Sequence, residues 1–60
     1  MIIIVNGNSK EYQDNITLIE LIDDLNLKNK VMALAVNGTI AKKDTWNSYN
    51  LQHGDKVELL

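Results

Sequence analysis

The chain has 60 residues, no Cys, six lysines, no Arg and a formal net charge of −2. Disulfides, thiolate zinc sites and Cys nucleophiles are thereby excluded. So is the clustered cationic surface that nucleic acid requires. At this length one small domain is expected over residues 1–60, and its stability must come from a compact apolar core, which the 45% hydrophobic content suits.

Met1-Ile2-Ile3-Ile4-Val5 opens the chain. It has no basic flank and is too short for a signal peptide, and no apolar run approaches a membrane span. A soluble cytoplasmic protein is the expectation. Ile2 to Val5 is continuously apolar and β-branched, the composition of a central strand. Asn6-Gly7 follows, a strong hairpin signal because both residues tolerate positive φ. The second strand of that hairpin is expected over Ser9 to Gln13.

Thr17-Leu18-Ile19-Glu20 fits a capping box, with Ile16 and Leu21 at the staple positions beside it. Leu18, Leu21, Ile22 and Leu25 then repeat at i, i+3, i+4 and i+7, which predicts an amphipathic helix from Leu18 to Leu25. Glu20, Asp23 and Asp24 take the polar face, and Asn26 is the stop.

Val31 to Asn37 alternates in size. It predicts a strand with Met32, Leu34 and Val36 on the core face and Ala33 and Ala35 on a close-approach face. Asn37-Gly38 repeats the hairpin signal, leading into a short strand near Thr39 to Ala41. Asp44 to Asn50 reads as a polar loop in which Trp46 and Tyr49 plug one end of the core. Gln52-His53-Gly54-Asp55 is a turn, and Lys56 to Leu60 is the last strand. The order β-β-α-β-β-β is met by one mixed sheet of four or five strands packed on one helix, with the first and last strands paired in parallel. That is an α+β, β-grasp architecture.

Catalytic readings find little support. Asp23 and Asp24 are adjacent on a helix and splay apart. Neither Ser9 nor Ser48 stands in a nucleophile-elbow context. His53 reads as an exposed turn residue, and the three isolated glycines form no phosphate loop. No metal site is expected. Strand parity does predict one surface. Ile3, Val5, Val57 and Leu59 turn toward the helix, which leaves Ile2, Ile4, Ala33, Ala35 and Leu60 on the opposite sheet face as a partner-binding patch.

Val5-Asn6-Gly7, Thr17-Leu18 with Leu21, Val36-Asn37-Gly38, Trp46 and Leu51 through Glu58 together resemble the small sulfur-carrier proteins of thiamine biosynthesis. These are the ThiS-like branch of the ubiquitin-like fold. The resemblance covers nearly the whole chain, with Lys42-Lys43 standing where the family often has Pro-Arg. It implies a carrier and not an enzyme, with no resident cofactor. Its C-terminal glycine carboxylate would be adenylated with ATP by a ThiF-like activating enzyme and converted to a thiocarboxylate. Sulfur would then pass to a ThiG-like thiazole synthase. The family's closing Gly-Gly matches no position here, and the sequence ends on Leu59-Leu60 within the last strand, so a longer native chain is expected. Related readings are a carrier like the small subunit of molybdopterin synthase, and a β-grasp interaction module without carrier chemistry.

Overall fold

The computed structural model describes residues 1–60. Five strands, one α-helix and one 3₁₀ turn follow in order. They are β1 (Ile2–Val5), β2 (Asn8–Glu11), α1 (Leu18–Asp24), β3 (Leu34–Val36), β4 (Thr39–Ile40), the 3₁₀ turn Lys43–Thr45, and β5 (Lys56–Leu59). The strands form one sheet in the order β2-β1-β5-β3-β4. β1 and β5 run parallel, and the other three pairings are antiparallel. The expected β-grasp arrangement is thus observed with five strands, and the last strand lies at the middle of the sheet.

Both hairpins are two-residue turns. Val5 pairs with Asn8 and Val36 with Thr39. The residues between them have positive φ throughout: 47° at Asn6, 85° at Gly7, 52° at Asn37 and 83° at Gly38. That is the type I′ geometry whose twist matches paired strands, and Asn-Gly is the dipeptide that adopts it with least strain. Each turn sets its hairpin's register, and register sets which side chains reach the core.

α1 begins with the capping box read from the sequence. The Glu20 N–H donates to Thr17 Oγ1 (3.2 Å), and the Thr17 N–H donates to Glu20 Oε1 (2.9 Å). The Thr17 N–H, and next its hydroxyl, hold the Glu20 carboxyl below its ordinary pKa. The two N–H groups ahead of Glu20 are also taken. Leu18 N–H donates to Tyr49 O (3.0 Å) and Ile19 N–H to Trp46 O (3.2 Å). The segment after the 3₁₀ turn therefore closes the helix start, and no open donors are left there for an anion. At the other end, Asn26 N–H donates to Asp23 O and Leu27 N–H to Ile22 O (3.0 and 3.1 Å). With Asn26 at φ 58° this is a Schellman stop. Thr17→Ala should destabilise the protein by about 1 kcal/mol through loss of the cap, measurable by urea denaturation.

Thirteen buried residues form the core, and none of them is polar or charged. The sheet contributes Ile3, Val5, Leu34, Val36 and Val57, and the helix contributes Leu18, Leu21 and Ile22. Trp46 closes one end. It is 3% exposed and its ring N–H donates to Ala41 O at 2.9 Å, so the indole is buried with its polar atom satisfied.

β3 corrects the alternation read from Val31 to Asn37. Only Leu34–Val36 is regular strand. Met32, expected on the core face, is 89% exposed, while Val31 is buried. The backbone supplies the cause. Leu60 N–H donates to Ala33 O (2.9 Å), and Leu60 O accepts from Met32 N–H (3.0 Å). Two residues of one strand thus oppose one of the other, the arrangement of a β-bulge. The extra residue breaks the period of two, so Met32 turns outward with Ala33. Two smaller differences concern strand ends. β2 begins at Asn8 and ends at Glu11, and β5 ends at Leu59, although Leu60 keeps both backbone bonds to Met32 and Ala33.

Candidate docking face

The helix covers one face of the sheet and leaves the other open. Ile3 and Val57 are fully buried, so their neighbours in the pleat point away from the core. On β1 these are Ile2 and Ile4, both half-buried. Beside and within β3 they are Ala33, just ahead of the strand, and Ala35, both also half-buried. Ile2, Ile4, Ala33 and Ala35 therefore share the open face, and Leu60 stands 81% exposed past the end of β5. They do not form one unbroken surface, because β5 runs between β1 and β3 and its outward side chains are Lys56 and Glu58. The register shows the division directly: Ile4 stands beside Lys56, and Ala35 beside Glu58. Neither charge is held in an ion pair.

The apolar side of this face extends further than parity predicts. Ile40 pairs with Ala35 across the β3–β4 hairpin and is 64% exposed. With Met32 and Leu60 it completes the chain's exposed large hydrophobic residues, and all three belong to the β3–β4–β5 flank. Ile40 could have been found from the sequence, since a two-residue Asn37-Gly38 turn sets Ala35 opposite Ile40. Met32 could not, because it depends on the bulge.

The end of β5 is held from both sides. Leu59 N–H donates to Asn6 Oδ1 at 2.8 Å, so the first hairpin turn continues the parallel pairing with a side chain. Leu60 is bonded on the other side to Met32 and Ala33. At the strand's start, Asn37 Oδ1 accepts from Lys56 N–H (3.0 Å) and Asn37 Nδ2 donates to Asp55 Oδ1 (2.9 Å). A short strand with its ends clamped in this way presents its last residue at a defined point beside the open face.

The other candidates serve the scaffold. His53 is exposed, and its Nδ1 accepts the Ile2 N–H at 2.9 Å. Asp24 accepts the Tyr12 hydroxyl at 3.0 Å. Partial burial first, and then this carboxylate, push the Tyr12 phenol up to about 12. Ser9 is exposed on β2, and Ser48 donates to Thr45 O. No three His, Asp or Glu side chains converge, and no helix is long and apolar enough to cross a membrane.

A solved structure with this architecture is the crystal structure of a thiamine biosynthesis protein (ThiS) from Geobacter metallireducens. The two superpose with a TM-score of 0.88 at 22% sequence identity, over 100% of this chain and 91% of that one. At that identity the likeness speaks for the fold. Among proteins with curated descriptions, none matches the chain. The sequence profile of the ThiS family matches residues 3–60, and the chain therefore belongs to the ThiS family.

Proposed function

We propose that the protein is a sulfur carrier of thiamine biosynthesis that docks through its open sheet face. Its partners in this reading are an adenylating, sulfur-transferring enzyme of the ThiF type and a thiazole synthase of the ThiG type. Ile2, Ile4, Ala33, Ala35 and Leu60 form the docking patch. The observation that carries the reading is the place of β5. The strand nearest the C-terminus runs through the sheet centre and brings Leu60, 81% exposed, to the rim of the open face. A segment attached there would project past a docked partner's surface and into its active site.

The reactive group in this reading is a glycine carboxylate beyond Leu60. The activating enzyme would join that carboxylate to the AMP portion of ATP, with release of pyrophosphate. A sulfur nucleophile would then displace AMP and leave a thiocarboxylate. None of the 60 residues is assigned a catalytic role. Their work is to fold, to dock and to fix the point from which the carboxylate is offered, which converts an encounter into a positioned reaction.

The test is mass spectrometry after incubation with the activating enzyme, ATP and a sulfur source. A chain carrying a segment closed by Gly-Gly after Leu60 should gain the mass of one oxygen exchanged for one sulfur. The chain ending at Leu60 should keep its mass. An unchanged Gly-Gly chain would overturn the carrier reading, and a gain by the chain ending at Leu60 would overturn the assignment of the reactive group.

A further inference from the structure

We infer that a dimple beside Trp46 is a second docking site, one that takes an acidic segment of a partner protein and receives a single apolar side chain. It lies away from the open sheet face, between α1, the α1–β3 connection and the 3₁₀ turn. Ile19, Ile22, Val31 and Trp46 make its apolar floor, and its volume is about 210 Å³. That is below the span of about 300–1,000 Å³ common for small-molecule sites, and suits one side chain of a larger partner.

The floor is preformed. Ile22 and Trp46 are 2% and 3% exposed, and the indole is pinned through its bond to Ala41 O. A rigid floor spares the ordering cost that weakens adaptable sites.

The rim selects the partner's charge. Lys28 and Lys43 line the dimple, and Lys43 Nζ stands 6.0 Å from the Trp46 ring centroid. They are the two charged residues of its lining, and Lys30 and Lys42 stand close to them in sequence. None of the four is in an ion pair. The chain as a whole is acidic, so this cationic rim is a local feature and not a reflection of composition. Glu20 and Asp23 of α1 share an adjoining hollow with Lys28, and Asp44 follows Lys43. The incoming carboxylates therefore belong toward the lysine-bearing connection and the 3₁₀ turn, away from the helix. Asn29 and Asn47 complete the lining with amides able to bond a peptide backbone.

The chain has one Trp, so its fluorescence reports on the dimple directly. The probes are short capped peptides of Asp and Glu with a central Leu, the same peptides with a central Gly, and Lys versions of both. The acidic Leu peptide should give a saturable change in Trp46 emission and move the amide signals of Lys28, Asn29, Lys43 and Asn47. The Gly peptide should bind about tenfold more weakly, which is about 1.4 kcal/mol, and the Lys peptides not at all. Added salt should weaken the binding. Lys28→Glu with Lys43→Glu should reduce affinity about tenfold at an unchanged melting temperature, while Ala35→Asp on the sheet face should leave it intact. Three results would overturn the proposal: no saturable response to the acidic Leu peptide, equal affinity for the Gly peptide, or amide shifts centred on Ile2, Ile4 and Ala35. None of them bears on the carrier reading, which is tested by mass.

Discussion

Leu34→Ala is expected to destabilise the fold by about 2–5 kcal/mol, the largest effect of any single truncation considered. Leu34 is fully buried in the core, where it pairs with Leu59 of β5. Removing its isobutyl group loses the transfer term and leaves a cavity that two clamped strands cannot collapse. A domain of 60 residues at ordinary stability per residue has only about 3–9 kcal/mol in all. The variant should therefore melt far below the parent, or be partly unfolded at room temperature. Leu34→Val, which keeps most of the volume, should remain folded and serve as the measurable intermediate. Thermal melts followed by circular dichroism give the comparison. A melting temperature within a few degrees of the parent for Leu34→Ala would show that the core repacks there.

Charging Ala35 should have the opposite profile, a large loss in binding with little loss in stability. Ala35 is central on the open face, between Ile40 and Glu58 in register. A charge buried against a partner without a counter-charge should weaken docking by about 2 kcal/mol or more. In the free protein the same side chain reaches solvent. Ala35→Asp places a carboxylate opposite Glu58, a like-charge pair that costs up to about 1 kcal/mol of sheet stability. Ala35→Lys makes an opposite-charge pair there and avoids that cost. Both variants should lose affinity for the activating enzyme and the thiazole synthase in calorimetric titrations, and only Ala35→Asp should also melt lower. Parent-like binding by both would remove the β3 side of the face from the interface.

Much of this protein is written in short-range rules. The two Asn-Gly dipeptides determine their turns because positive φ is a property of those residues. The Thr17–Glu20 box and Asn26 mark the helix because they satisfy backbone groups within one turn of themselves. Ile3, Val5, Val57 and Leu59 declare their side of the sheet through the period of two. Even the parallel pairing of β1 with β5 follows from the order of elements. What lay beyond the sequence depends on residues far apart in the chain. The bulge that turns Met32 outward is made by Leu60. Whether the open face is one patch or two depends on β5 entering between β1 and β3 and laying Lys56 and Glu58 across it. The closed helix start needs the carbonyls of Trp46 and Tyr49, and the lysine-rimmed dimple needs two loops to meet over the indole. Local propensity acts over a few bonds and can be read residue by residue. Register at a bulge, strand order and the meeting of loops are settled by the packing of the whole chain, and the open sheet face and the dimple are made of those.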